Sequence, residues 1–401
     1  MQSTTHNLKS SFKQRSKIPP PLLTALILVF GLGFVPQLLG FLSLTSTNII
    51  VLFFLLIFTA KKFNTQIISR TTLAYFIVTI YIAICGLSSG STFTGFAIYA
   101  YYLLTTYLAL KSARFAVDKK YLTEGIIFKY LHAYLIIQIV FCAFQFTFST
   151  QISQFSKMPV APVDAASGTF FLASDASLCF FCLISTIFSF ATNQNFKNKY
   201  LTLFLCSIIV SLTDSKAIQL IFLASACILI SYDIMSKIKG YNKIILTLSP
   251  FVLLGTVLIA FNNFSWIQIL AHDTLTEAYD KRFASIGASR LAPIGEMFYG
   301  DNPLLGHGLL AYYNPIDKNW LYNSGSSLFY TIFIDCGLPG IFILYSFFLY
   351  LILKNEKRLL YAALYFLAFF TFAFFNFALT DIGAIFSLGA YLTLQKKILR
   401  S

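Results

Sequence analysis

Apolar runs of about membrane-spanning length follow one another from Leu22 to about residue 395, and this repetition limits the fold more than any other feature. No water serves the backbone inside a bilayer. A spanning segment must therefore satisfy its own amides, as a helix or as a strand of a closed barrel. Barrel strands are short and alternate apolar with polar residues. The runs here are continuous, which selects helices. Of the 401 residues 57% are hydrophobic and 11% charged, against about 25% charged in a soluble domain. The expected fold is an all-α polytopic membrane protein of one domain, residues 1–401. About twelve transmembrane helices are expected, at about 22–42, 46–60, 71–88, 95–111, 130–149, 168–191, 200–213, 216–231, 244–262, 326–353, 359–376 and 380–395. The first follows a basic tail, residues 1–21. Its length, and the lack of a small-residue exit site, mark a retained helix and not a cleaved signal peptide.

Charge orients these spans, because Lys and Arg of short loops stay on the cytoplasmic side. With the amino terminus inside, twelve spans put 23 of the 29 basic residues on inner segments and both termini in the cytoplasm. The alternation requires 200–213 and 216–231 to be a hairpin and not one tilted helix. The net charge of +14 is then mostly topology and needs no nucleic acid. The seven cysteines lie in apolar runs, Cys179 and Cys182 within one expected helix without a second pair, and read as small apolar residues.

Six cations break the bias: Lys157, Lys216, Lys281, Arg282, Arg290 and Lys318. Four of them fall between about 263 and 325, the one large hydrophilic interruption, on the outer side. If 277–291 is helical, Arg282, Ile286 and Arg290 share a face. Two guanidinium forks beside a membrane suit a phosphate or diphosphate. They equally suit Glu277, Asp280, Glu296 or lipid headgroups as partners. Asp175, early in its helix, reads as a polar ligand or as a partner of the helix dipole. Asp381 reads as a cap. His132 reads as incidental, while His272 and His307 lie in the outer loop and can titrate near neutrality. Tyr312, Tyr313, Trp320 and Tyr322 suit an interfacial belt somewhat better than stacking on sugars. No His, Asp and Glu cluster has metal-ligand spacing, so no cofactor or metal is expected.

These residues also form a pattern. Arg282, Ser285 and Arg290 lead into Asn302-Pro303-Leu304-Leu305-Gly306-His307-Gly308. Ser326-Ser327 then opens a helix that carries Gly337-Leu338-Pro339-Gly340. Upstream stand Ser167-Gly168-Thr169-Phe170 and Thr213-Asp214-Ser215-Lys216-Ala217. In order and in expected side, the set resembles the O-antigen polymerase and ligase superfamily (Wzy-like). Two positions depart from it. Ser326 stands where the ligase branch has its proposed histidine base, which points to a polymerase. Lys216 replaces an arginine, which keeps the charge and loses the fork.

The resemblance implies a GT-C-like helical bundle in a bacterial inner membrane, with its active site in a large periplasmic loop, 263–325. It implies a glycosyltransferase of O-antigen or other polysaccharide biosynthesis. Such an enzyme moves a growing glycan from an undecaprenyl-diphosphate-linked oligosaccharide donor to a lipid-linked repeat unit as acceptor. Arg282, Arg290 and Lys216 would be catalytic, stabilising the departing diphosphate without a metal. Asp175, Ser285, His307, Asn323 and Ser326 would bind substrate. A flippase and a chain-length regulator are the implied protein partners. An O-antigen ligase, and a flippase or other transporter of lipid-linked oligosaccharides, remain the alternatives. A transporter would carry repeats and a charged midplane route, where this chain has cations at one side.

Overall fold

The computed structural model describes residues 18–40, 43–60, 69–155, 166–170, 174–192, 195–213, 215–235, 306–311, 313–314, 319–320 and 327–400. Thirteen α-helices are described: α1 Pro20–Phe30, α2 Phe34–Leu38, α3 Leu44–Ala60, α4 Arg70–Ser88, α5 Phe93–Asp118, α6 Glu124–Thr147, α7 Ser149–Phe155, α8 Asp175–Ala191, α9 Phe196–Leu212, α10 Lys216–Met235, α11 Leu328–Asn355, α12 Leu359–Phe375 and α13 Ile382–Ile398. A 3-10 turn, Ala378–Thr380, precedes α13, and two-residue strands β1 Tyr313–Asn314 and β2 Asn319–Trp320 pair antiparallel. Five described helices are long and apolar enough to cross a membrane: α4, α5, α6, α10 from Ala217, and α11. That architecture is consistent with a polytopic membrane protein.

Short polar residues start the apolar helices. Ser69, Thr92, Thr123 and Ser327 accept from the amides of Thr72, Gly95, Ile126 and Tyr330, and Asp381 caps α13 through Ala384 N–H at 2.8 Å, as its sequence position suggests. Such caps matter where no water can reach the first amides.

Two helices form the centre. Every residue of α8 and all of α13 from Ile382 to Gln395 are buried, the mark of a helix surrounded by others. α13 lies close along α5, where Gly389 faces Ala113 and a Cβ on the glycine would stand 3.2 Å from that methyl. Small residues allow such approach, which favours helix association in lipid. The surrounding helices turn Phe76, Leu87, Leu220 and Phe342 outward. An exterior so apolar suits lipid and not water.

Hydrogen bonds sort the helix ends into two groups. One end, here the loop end, joins the starts of α3, α5, α8, α11 and α13 with the ends of α1, α4 and α12. Every described Lys and Arg except Lys216 lies within about two turns of the opposite, basic end. Two acids are buried there beside cations. Lys199 Nζ meets Asp233 Oδ1 at 2.9 Å. Arg358 forks onto Glu356, Nε to Oε1 at 2.9 Å and Nη2 to Oε2 at 2.7 Å, and donates through Nη1 to Ala191 O, the last carbonyl of α8. The Glu356 carboxylate holds the Arg358 guanidinium above its usual range.

Two expected spans need correction. The run 22–42 is not one helix: it stops at Phe30 and resumes at Phe34. Gly31 and Gly33 favour the break, and Pro36 has no amide for the carbonyl four residues earlier. The expected helix 168–191 begins only at Asp175, because Gly168 sits at φ +64° in a separate turn. The pair 196–212 and 216–235 is two helices, as the charge alternation requires. The expected ninth helix, 244–262, lies outside the described residues.

Candidate functional site

The loop end is organised by a fault in α11. Gly337 has φ +69° and ψ −173°, two residues before Pro339. In an unbroken helix Ile334 O and Asp335 O would meet the amides of Leu338 and Pro339, and proline has none. Instead, the turn Gly306–Ala311 supplies donors. His307 N–H donates to Ile334 O at 2.8 Å and Gly308 N–H to Asp335 O at 3.1 Å. Tyr81 donates its hydroxyl to Cys336 O at 3.0 Å.

The Asp335 side chain completes the attachment. Its carboxylate is buried, and it accepts from Tyr99 Oη at 2.6 Å, Leu310 N–H at 2.8 Å and Ala311 N–H at 3.3 Å. Leu309 N–H goes to Ser91 Oγ at 2.8 Å. Every amide from His307 to Ala311 is thus satisfied, which a buried strip of backbone requires. Both glycines are needed. Gly306 has φ +73°, and a Cβ there would lie 2.6 Å from the Asp335 carbonyl; Gly308 has φ +98°, and a Cβ would run into Ser89 Oγ.

A second turn, Ser167–Phe170, is held by two glutamines seven residues apart on α6. Gln145 receives Gly168 N–H at 2.7 Å and donates to Gly168 O at 2.8 Å. Gln138 receives Thr169 N–H at 2.9 Å and donates to Thr169 Oγ1 at 2.5 Å. A side-chain amide both donates and accepts, so Gln145 pairs with Gly168 backbone as a strand would, while Gln138 holds the Thr169 amide and hydroxyl. Thr169 Oγ1 in turn donates to Phe30 O, the carbonyl freed where α1 stops.

The start of α8 joins the remaining parts. Ser177 Oγ donates to Asp381 Oδ2. Cys179 Sγ lies 2.7 Å from Thr213 Oγ1, at the turn between α9 and α10. Gln219 closes that turn by donating to Val210 O at 2.9 Å and Thr213 O at 2.6 Å. An aromatic row links this group to the α11 fault: Tyr99 to Tyr102 at 5.6 Å, then Tyr102 to Phe377 at 4.5 Å between ring centroids.

Of the site residues expected from sequence, Asp175, His307 and Lys216 come to this end. Asp175 opens α8 and is buried; Lys216 opens α10. His307 is exposed, and its backbone amide makes the anchor. Arg282, Ser285, Arg290, Asn323 and Ser326 lie outside the described residues, as do His272, Tyr312 and Tyr322. Tyr313 and Trp320 are register partners of β1 and β2. His132 is elsewhere: it shares a 2.9 Å hydrogen bond with Thr202 between α6 and α9. All seven cysteines are free. Among the described residues no three His, Cys, Asp or Glu side chains come together to hold a metal.

Asp335, Tyr99, Gln138 and Gln145 were not foreseen as parts of the site. A carboxylate two residues before a Gly-Leu-Pro-Gly break was the signal for the first; two glutamines at helical spacing in an apolar run were the signal for the last pair. No family model matches this chain, and no curated protein matches it.

Proposed function

We propose that the chain is a polysaccharide polymerase of the Wzy-like kind, with its site at the loop end. One observation carries the reading. Of the two glycine elements that the sequence resemblance assigns to a single loop, Gly306-His307-Gly308 docks on Ile334 O and Asp335 O, the carbonyls just before the break at Gly337-Leu338-Pro339-Gly340. The Ser167–Phe170 and Thr213–Lys216 elements lie at the same end, around the start of α8. The basic end is then cytoplasmic and the loop end periplasmic. α10 finishes at the basic end and α11 starts at the other, the change of side that a twelve-span arrangement needs.

In the proposed reaction the bond between the donor sugar's anomeric carbon and the diphosphate oxygen breaks. A bond to a hydroxyl oxygen of the acceptor sugar forms, and that hydroxyl gives up its proton. Charge accumulates on the departing diphosphate. Preorganised cations are the largest available contribution to such a step, so Arg282 and Arg290 have the leading role and Lys216 an auxiliary one. The docked turn fixes the carboxyl-terminal side of the arginine-bearing loop to the rigid bundle.

The test is genetic. Arg282→Ala or Arg290→Ala should abolish long glycan chains at unchanged protein level, a loss of at least about a hundredfold. Arg→Lys should rescue poorly, because the charge survives and the fork does not. Full chain length in both alanine variants would remove these residues from the site.

A further inference from the structure

At the basic end, α3, α4, α5, α11 and α13 surround a cavity of about 460 Å³. Six cations line it: Lys111 and Arg114 from α5, Lys354 from α11, and Lys396, Lys397 and Arg400 from the end of the chain. Asp118 is the one carboxylate among the lining residues. It lies between two of the cations, 3.6 Å from Arg114 Nε and 3.5 Å from Lys397 Nζ. Other lining cations are oriented by neutral hydroxyls. Lys354 Nζ donates to Thr71 Oγ1 at 2.8 Å and Tyr350 Oη at 3.1 Å, and Lys111 Nζ to Tyr107 Oη at 3.1 Å. Hydroxyls fix an ammonium group in place without cancelling its charge.

Orientation by basic residues explains cations spread along short inner loops. It does not explain their convergence on one concavity from three separate helices. Burial holds the Lys396 ammonium below its usual range, and Arg400, Arg114 and Lys354 add repulsion that Asp118 partly offsets, a cost that a bound anion would oppose. The amino terminus of α4 also lines the cavity through Ser69, Thr71 and Thr72, so a helix dipole adds to the same field. Deeper in, Phe347, Leu351 and Leu392 give an apolar floor.

We propose that this cavity binds a phosphate-bearing anion at the basic face of the bundle, separate from the loop-end site. Its six cations and the α4 terminus hold the phosphate oxygens. The phosphate can belong to the headgroup of an anionic phospholipid or to a soluble phosphorylated compound.

The test uses the purified full chain in neutral detergent. Thermal unfolding and native mass spectrometry are recorded with phosphatidylglycerol, with phosphatidylcholine, or with inorganic phosphate. A stabilising shift with phosphatidylglycerol and none with phosphatidylcholine or phosphate assigns a lipid headgroup. A shift with inorganic phosphate alone assigns a soluble ligand. In either case Lys354→Gln combined with Arg400→Gln should weaken binding about thirtyfold, each neutralised cation contributing about fivefold. Lys129→Gln, at the same end and outside the cavity, should leave it unchanged. Lys396→Gln guards against simple misfolding. It relieves repulsion, so it should raise the melting temperature of the ligand-free protein while it weakens anion binding. No shift with any anion, or a shift that survives the double substitution, overturns the proposal.

Discussion

The two ends of the bundle bury acids by opposite means. At the basic end Asp233 and Glu356 are neutralised by cations, Lys199 and Arg358. At the loop end buried Asp335 and half-buried Asp381 are met by neutral donors: amides of Leu310, Ala311 and Ala384 and hydroxyls of Tyr99 and Ser177. A buried ion pair rests on charge, and removing one partner leaves the other exposed to the full cost of desolvation. A carboxylate held by hydrogen bonds rests on geometry, and a neutral group of the same shape can fill much of its role. Around these two pairs the basic end is charge-balanced, apart from the cation-lined cavity. At the loop end Asp335 and Asp381 rest instead on the shape of their surroundings.

The largest effect expected from this contrast is that of Asp233→Asn. It strands a buried ammonium, at a cost of about 3–5 kcal/mol, visible as a fall in melting temperature followed with a thiol-reactive dye on the buried cysteines. An unchanged melting temperature would break the comparison at its basic side. Next comes Gly308→Ala, where a positive φ and the nearby Ser89 oppose any side chain. About 1–3 kcal/mol of strain should undock the turn, raise proteolysis around residue 311 and reduce glycan chain length. Unaltered cleavage would show that the turn tolerates the strain.

Asp335→Asn should cost less, about 1–2 kcal/mol. The amide keeps an acceptor for one set of donors while its NH2 group opposes the other. A loss as large as that of Asp233→Asn would mean that the loop end also depends on charge. Smallest of all is His307→Ala. The residue is exposed and anchors through its backbone, so stability should change by less than about 0.5 kcal/mol, and most polymerising activity should remain. Loss of activity at unchanged stability would instead make His307 the proton acceptor.

Sequence reading anticipated the described apolar helices, because continuous apolar runs leave the backbone no other solution in lipid. It overran them where polar backbone contacts end a helix early. The run through Gly31 and Gly33 looked apolar throughout, yet Phe30 O is claimed by Tyr134 and Thr169 from elsewhere in the chain. Likewise the apolar run predicts a helix from 168, although Gln138 and Gln145 hold Gly168 and Thr169 in a turn. Those contacts join residues far apart in sequence, which periodicity does not register. The capping role of Asp381 was legible because a cap is local. The role of Asp335 was not, because its partners Tyr99 and Leu310 stand 236 and 25 residues away.

The docked turn has a topological consequence for the chain that follows it. Ala311 is pinned to Asp335 on α11, and Ser327, which begins the same helix, is pinned to Phe374 O at 2.5 Å. The segment between them is therefore a ring whose ends are held by one helix, bridged partway by the Tyr313 and Trp320 pairing. Ring closure costs entropy only as the logarithm of length, about 0.6 kcal/mol for each doubling. Such a ring can lengthen or shorten between related chains while its attachment points stay where they are. Diversity of sugar recognition, if this segment supplies it, would then arise without disturbing the frame that carries it.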